Sequence, residues 1–414
     1  MNSLATALPL ALAYLRERLL ATLLNILLLA LGIATIVALL LTMSQAEDRM
    51  ERDAAGIDLV VGAKGSPLQL VLSSVFHVDI PTGNIALEEA SRIGAEAAVK
   101  RAIPIALGDS YRAFRIVGTV PGYVDLYGAS VTSGRVWAKP MEALIGADVA
   151  AQSGLKMGQK FAGTHGLAEG GGSHDRQPFE VVGILAPTGR VIDRLILTSL
   201  GSIWTLHEHP GVGSESRNAV LPTDNEAANE ADDDKEITAL LIQYANPLAA
   251  ATFPRRVNAV SGLQAAAPAM ESARLFALLG FGVTALKVFA AIMMLCAGLG
   301  IFIGLMNALD ERRADLALLR MLGANRGTVF LTILTQGFAL GVAGVILGVL
   351  LGHAGAEWIG QSVAAVHRVR LTGLTWIVAE FWVAGSALVL SLAAGLFPAW
   401  RAYRDSVPEL LGRA

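Results

Sequence analysis

The stretch LVVGAKGS, residues 59–66, has the composition of a phosphate-binding loop, because an apolar run ends in glycines, a lysine and a serine. A Walker loop has the spacing G-x-x-x-x-G-K-[ST], with the lysine directly after the second glycine. Here Lys64 precedes Gly65, and Ile57 and Val60 stand where the first glycine would be required. The stretch therefore predicts a strand end followed by a glycine turn.

Histidines and acidic residues near the middle of the chain suggest a second kind of chemistry. His207 and His209 would point to the same side of an extended segment. Together with His165, His174 and the acidic run 232–234, they could hold a labile Zn²⁺ or Ni²⁺ ion. Solvated loop tips are the alternative, and the sequence favours it because nothing fixes the ligand geometry.

Ser173, His174 and Asp175 stand next to each other in a glycine-rich polar segment, 164–177. Catalytic triads are assembled from separated segments on rigid supports. We therefore attribute this adjacency to chance and predict no catalytic residue.

Membrane-spanning segments are the first elements that determine where these residues lie. The chain is 54% hydrophobic and 16% charged, with a mean hydropathy of +0.54, whereas soluble domains are about 25% charged. Four apolar runs reach the roughly 20 residues that a bilayer requires; they are 19–43, 275–309 (with a stalk), 328–352 and 376–400. The first run exceeds the 7–15 residues of a signal peptide core, so we predict a retained anchor. The net charge of −3 argues against a nucleic-acid partner.

Arginines near the span ends predict the orientation. Arg16 and Arg18 precede the first span, four arginines lie in 310–327, and three lie in the tail, 401–414. Because positive charge stays in the cytoplasm, both termini are predicted to be cytoplasmic. Residues 1–18 are predicted to form an interfacial helix there, with Arg16 and Arg18 at the headgroups. Residues 44–274 and the loop 353–375 then lie outside.

The inserted region 44–274 has ordinary polarity and an α+β pattern. Runs rich in valine and isoleucine predict strands over 57–62, 99–107, 113–120, 181–185 and 237–244. Helices are predicted over 85–94, capped by Asn84, and over 142–154. The predicted fold is an α-helical membrane protein with four transmembrane helices and an α+β extracytoplasmic domain between helices 1 and 2.

Glycines recur every fourth residue in two spans, a spacing that lets helix backbones approach closely in lipid. They are Gly300, Gly304, Gly337, Gly341, Gly344, Gly348 and Gly352. Packing within one chain and packing in a dimer both fit this pattern. Lys287 and Glu380 are predicted near the outer interface, where their side chains can reach water.

The 310–327 segment reads as a short helix that ends before Gly323. At about 100° per residue, one face is predicted to pack on the membrane helices; it holds Ala314, Ala317, Leu318, Met321 and Leu322. The opposite face holds Leu316 and Leu319, flanked by Arg312, Arg313 and Arg320. Exposed leucines ringed by arginines favour a soluble protein partner, and anionic headgroups are the alternative.

Residues 311–330, ERRADLALLRMLGANRGTVF, resemble the "E-R-R-x-E-I-A-x-x-R-A-L-G-A" motif of macrolide-exporter (MacB), lipoprotein-release and FtsX-type ABC transporter permeases, with Asp315 in place of the usual Glu. The closing stretch 395–411 resembles their "P-A-x-R-A-x-x-x-x-P-x-x-x-L" ending. Residues 142–161 and 179–189 resemble the periplasmic core domain of these permeases. The resemblance covers the whole chain.

The resemblance implies a bacterial inner-membrane permease subunit of an ABC transporter whose second helix carries movement to the outer domain. A cytoplasmic ATPase would dock on the 310–327 helix; the expected docking residues are Glu311, Arg312, Arg313, Leu316, Leu319 and Arg320. The other implied partners are a second permease copy and a periplasmic or lipoprotein accessory.

No Walker motif occurs in these residues, so ATP and Mg²⁺ are expected on the partner, and this chain is predicted to be no enzyme. Zinc on His207 and His209 is the one cofactor considered for the chain itself. A non-transporting signalling subunit that activates an extracytoplasmic partner and a metal-linked transport system are the alternative functions.

Overall fold

A computed structural model describes residues 3–165, 177–207, 235–321, 323–367 and 371–404, with side chains described from 7 and except at 165, 207 and 363–367. The chain divides into two compact units. The membrane unit joins Met1–Ala46 to Leu279–Ala414, and the inserted unit is Glu47–Leu278.

The described helices and strands follow in chain order. The helices are α1 (Ser3–Glu17), α2 (Leu19–Ala54), α3 (Pro67–Ser74), α4 (Leu87–Gly94), α5 (Gly122–Leu126), α6 (Ala147–Ser153), α7 (Leu200–His207), α8 (Ala249–Asn258), α9 (Pro268–Glu311), α10 (Arg313–Met321), α11 (Arg326–His367) and α12 (Val378–Arg404). The strands are β1 (Leu59–Ala63), β2 (Ile85–Ala86), β3 (Val99–Tyr111), β4 (Phe114–Thr119), β5 (Val131–Gly134), β6 (Glu142–Ile145), β7 (Lys160–Phe161), β8 (Thr164–His165), β9 (Phe179–Leu185), β10 (Leu195–Ser199), β11 (Glu236–Ile237), β12 (Ala239–Tyr244) and β13 (Leu263–Ala266).

Among the described residues, four helices are long and apolar enough to cross a membrane, namely α2, α9, α11 and α12. Four spans were predicted, but the helices are longer than the apolar runs that predicted them. α2 continues to Ala54 because no glycine or proline follows the apolar run before Gly56. α9 begins with Pro268 in its first turn and has 44 residues, roughly 66 Å at 1.5 Å per residue. The predicted loop 353–375 is wrong in its first part, since α11 continues to His367.

The inserted unit is built on one mixed sheet, as the α+β prediction required. Among the described strands, eleven join in it, and the main order is β13-β1-β12-β3-β4-β10-β6-β9-β5. β4 pairs with β10 and β6 with β9 in parallel, whereas the other pairs of the sheet are antiparallel. A small second sheet joins β2 to β11.

Both faces of this sheet are covered. Val60 of β1 belongs to one buried cluster, while its neighbours Leu59 and Val61 belong to another. In β10 the same alternation separates Leu197 from Ile196. Because successive strand residues point to opposite faces, the sheet has a hydrophobic core on each side.

Two local predictions in this unit are wrong. Residues 142–145 form strand β6, and the helix starts only at Ala147. The reason is burial between β10 and β9, since Leu144 and Ile145 are fully buried. Asn84 does not cap a helix, because α4 begins at Leu87; its amide donates to Glu236 Oε2 at 3.0 Å.

The stretch LVVGAKGS is a strand and a turn, as predicted. β1 runs into the turn, and Ser66 caps α3 by accepting a hydrogen bond from Gln69 N at 3.4 Å. Lys64 Nζ donates to the Asn258 carbonyl at 3.3 Å. A Cβ at Gly65 would lie 2.8 Å from Thr82 Cγ2, so close packing accounts for that glycine.

Candidate functional site

The predicted segment 310–327 contains the short helix α10, Arg313–Met321, which is separated from the end of α9 by Arg312 alone. Gly323 ends it with φ +99°, a conformation that favours glycine, and Ala324 N donates to the Leu319 carbonyl at 3.0 Å. Asn325 caps α11, because its Oδ1 accepts from Thr328 N at 2.7 Å. Leu322 lies outside the described residues. Gly323 therefore ends the nine-residue helix, and Asn325 starts the next one.

The buried face of α10 is the one that the sequence predicted to be exposed. Leu316 is 7% exposed and Leu319 is half-buried, both within a cluster of the membrane unit. Ala317 is fully buried as predicted. Since both faces of α10 carry large apolar side chains, periodicity could not decide which face packs inward.

The arginines of the segment bind other helices of the membrane unit instead of flanking exposed leucines. Arg312 forms an ion pair with Glu17 and lies 4.0 Å from the Tyr14 ring centre. Arg320 Nη2 donates to the Ala402 carbonyl at 2.7 Å, near the carboxyl end of α12, where free carbonyls attract cations. Arg313 pairs with Asp310.

The amino-terminal helix α1 joins the same network. Arg18, which was predicted to lie at the headgroups, pairs with Glu311. Ala7 and Ala11 are buried within the membrane unit. Burial raises the pKa of the Tyr14 hydroxyl, and the nearby Arg312 partly offsets this effect. Ion pairs therefore hold α1 against the end of α9 and the start of α10.

The exposed face of α10 is apolar apart from one carboxylate, and we call it the α10 outer face. It consists of Ala314, Asp315, Leu318 and Met321. Leu318 is 53% exposed and Met321 57% exposed. A leucine and a methionine one turn apart can enter an apolar groove of another protein. The sequence assigned both side chains to the wrong face, although their spacing already marked them as neighbours.

The glycines of the third span face other helices of the same chain. A Cβ at Gly344 would lie 2.6 Å from Leu29 Cδ2, and one at Gly348 would lie 2.7 Å from Ile33 Cβ. Gly352 meets Val37 in the same way, at 2.7 Å. These three glycines therefore make room for α2. Gly337 and Gly341 face Ser391 of α12, while Gly300 and Gly304 lie by Asn25 of α2.

The sequence predicted that the Glu380 side chain reaches water, and this prediction is wrong. Its side chain is 2% exposed, and its Oε2 lies 2.9 Å from His353 Nε2. Lys287 is exposed. The pairing was missed because 353 was placed in a loop, whereas α11 continues through it and supplies the histidine.

The proposed metal ligands fall where the structure gives no side-chain positions. The His207 side chain and all of His209 lie outside the described residues. Within the described ranges, no three histidine, cysteine or acidic side chains form a group that could hold a metal ion. The zinc site stays a prediction.

Two protein families match this chain. The family described as MacB-like periplasmic core domain matches residues 22–241, which is more than half of the chain. The family described as FtsX-like permease C-terminal matches residues 287–407. The second match covers α10 and its arginines.

One relative and two solved structures are similar to parts of the chain. The macrolide export ATP-binding/permease protein MacB of Nitrobacter winogradskyi is 30% identical over 131 residues, which are 31% of this chain and 19% of the relative. The periplasmic region of MacB from Actinobacillus actinomycetemcomitans has 10% identity and a TM-score of 0.34, over 54% of this chain and 95% of that one. The extracellular domain of the noncanonic ABC-type transporter YknZ from Gram-positive bacteria has 13% identity and a TM-score of 0.30, over 50% and 98%.

Proposed function

The chain belongs to the FtsX/MacB-type family of ABC transporter permeases, and from this premise we propose that it couples ATP hydrolysis by a separate cytoplasmic ATPase to movement of its periplasmic domain. The movement exports, extracts or otherwise handles a periplasmic substrate. ATP and Mg²⁺ bind to the ATPase, because these 414 residues contain no Walker motif.

The α10 outer face carries the proposal. Leu318 and Met321 are exposed on a nine-residue helix in which Leu316 is buried and Leu319 is half-buried. A short helix between two spans offers a compact surface on which an ATPase groove can close. We infer that Leu318 and Met321 are the anchors of this contact and that Asp315 lies at its rim.

The ion pairs behind α10 give a route for the movement. A displacement of α10 would act on α1 through Arg312 and Glu17, and on α12 through the bond from Arg320 to the Ala402 carbonyl. α9 is joined to α10 through Arg312 alone and is helical from Pro268 to Glu311. We infer that α9 carries the displacement along its length.

Replacing both anchors tests this docking site. We expect Leu318→Asp with Met321→Asp to abolish copurification of the ATPase with the full-length tagged chain, while membrane insertion stays intact. Losing one buried anchor costs about 2 kcal/mol or more, roughly a thirtyfold weaker Kd. Substrate-linked ATP turnover by the reconstituted complex should fall with it.

The matched control is Leu248→Asp. Leu248 is 81% exposed in the inserted unit, so the same chemical change there should leave ATPase binding unchanged. Copurification at the normal yield with the double variant would show that the ATPase docks elsewhere.

We further propose that two permease copies assemble in a bacterial inner membrane, with both termini in the cytoplasm. The arginines near α10 and at the chain's ends support this orientation. A periplasmic or lipoprotein accessory is the remaining proposed partner.

A further inference from the structure

The buried pair of His353 and Glu380 holds a short segment between α11 and α12, residues 371–377. His353 Nδ1 forms a hydrogen bond with the Gly373 carbonyl, and the Trp376 ring lies 4.5 Å from the imidazole centre. Glu380 Oε1 accepts from Ile377 N at 3.0 Å. Both members of the pair therefore bind the segment as well as each other.

Further side chains hold the same segment. Gln45 of α2 donates to the Thr372 carbonyl at 2.7 Å and accepts from Thr372 N at 3.0 Å. Glu357 accepts from Gly373 N at 2.8 Å. The segment is thus bound by side chains of α2, α11 and α12.

The hydrogen-bond partners fix how many protons the pair holds. A carbonyl only accepts, so His353 Nδ1 carries a hydrogen that it donates to Gly373. Glu380 Oε1 is occupied by a donor, the Ile377 amide. His353 Nε2 and Glu380 Oε2, 2.9 Å apart, bond only if one further proton lies between them. With that proton the pair is neutral overall, and without it two lone pairs face each other next to an uncompensated buried carboxylate.

The charged surroundings are sparse. Glu357 lies one helical turn along α11 from His353, and Glu380 is the only charged residue of α12 before Arg401. α2 has no titratable side chain between Leu19 and Ala46, and Lys287 of α9 is exposed. The charged side chains of 367–370 lie outside the described residues. Among the described groups, the shared proton is therefore the main compensation for the Glu380 charge.

We propose that His353 and Glu380 form a proton-binding site that holds the 371–377 segment against α11 and the start of α12, and that loss of the shared proton releases the segment. In the proposed orientation this segment lies in the periplasm, so external pH would set how firmly α11 and the start of α12 are held together. Ionisable side chains inside membrane domains commonly mark functional sites of this kind.

A spin label on the segment tests the proposal in the full-length chain in lipid nanodiscs. Leu374 is 85% exposed, and Cys296 is the only cysteine, so Leu374→Cys is labelled in a Cys296→Ser background. Between about pH 6 and about pH 10, we expect the mobile fraction of the label to rise about threefold or more.

Substitutions distinguish release of the segment by loss of the shared proton from a general loosening of the helices. In Glu380→Gln the amide donates to neutral Nε2 without a shared proton, so the rise should vanish. Glu380→Ala should be mobile at every pH. Glu51→Gln, the same carboxylate-to-amide change at an exposed position of α2 that does not bind the segment, should keep the rise.

Three outcomes would overturn the proposal. One is a label at Leu374 that is equally immobile at both ends of the interval. Another is a Glu380→Gln variant that responds as the parent does. The third is a parallel rise from a label at Leu350→Cys, a 63% exposed position within α11, since that would show unfolding of the bundle.

Discussion

Glu142 shows how one side chain ties a strand to the loop before it. Its carboxylate accepts two bonds from Arg135, at 2.6 and 2.7 Å, and one from Ala138 N at 2.7 Å. The Arg135 hydrogen bonds, followed by that of Ala138 N, lower the pKa of Glu142 to about 2. Because the unfolded carboxyl titrates near 4.3, this contribution to stability is complete above about pH 4.3 and is lost as the pH falls towards 2.

We expect Glu142→Gln to lower the free energy of unfolding at pH 7 by about 1 kcal/mol, a modest value because Arg135 is half-exposed. The difference from the parent should shrink between about pH 4.3 and about pH 2. Thermal unfolding of the full chain across this range measures it. Glu88→Gln, at an exposed position in α4, should show no such pattern, and a difference that persists at the acid end would refute the pairing.

At the residue scale, the sequence could identify types of side chain but not their partners. The strand and turn of 59–66 were predicted correctly because local structure depends on neighbouring residues. The partner of Glu380, by contrast, lies 27 positions earlier in the chain. It is brought close only because α11 and α12 are antiparallel neighbours whose real lengths hydropathy underestimates.

The helices of the membrane unit are packed through glycine, which makes a paired prediction possible at the scale of elements. A Cβ at Gly348 would lie 2.9 Å from the Ala30 carbonyl of α2, whereas one at Gly385 of α12 would have open space. We expect Gly348→Ala to destabilise the bundle by about 1 to 3 kcal/mol, because backbone must move. Gly385→Ala should be neutral or stabilising by up to about 1 kcal/mol, since alanine favours helix.

The melting temperature of the two variants in the same detergent gives the comparison. Equal melting temperatures would mean that α2 does not approach α11 as closely as the structure shows. A lower value for Gly348→Ala with unchanged dimer content would assign the glycine row to packing within one chain.

The positions of the helices and strands were largely predictable, but which face of a helix is buried was not. Strands rich in valine and isoleucine, such as β4 and β12, were found near their predicted positions. The error at β6 arose because the alanine and leucine of 142–145 suit a helix locally, and only the neighbouring strands β9 and β10 decide otherwise. The buried face of α10 was predicted wrongly for a related reason. Its orientation depends on contacts with Val329, Ile333 and Ala402, which come later in the chain.

At the scale of the whole molecule, the order of parts followed from hydropathy. Each apolar run was long enough to be unambiguous, and the region between the first two runs was polar enough to fold as a domain. This order agrees with the two family matches, 22–241 and 287–407. Substrate and partners have no comparable signature, because they depend on surfaces and not on periodicity.

The orientation of the chain is the premise of the docking proposal, and labelling tests it directly. Met321 is 57% exposed on α10 and Leu248 is 81% exposed in the inserted unit. In a Cys296→Ser background, we expect a membrane-impermeant maleimide to label Leu248→Cys in intact spheroplasts and Met321→Cys only after permeabilisation. The physical reason is the cluster of Arg312, Arg313 and Arg320, since positive charge is retained in the cytoplasm. Labelling of Met321→Cys in sealed spheroplasts would place α10 away from ATP, and no cytoplasmic ATPase could then dock on its outer face.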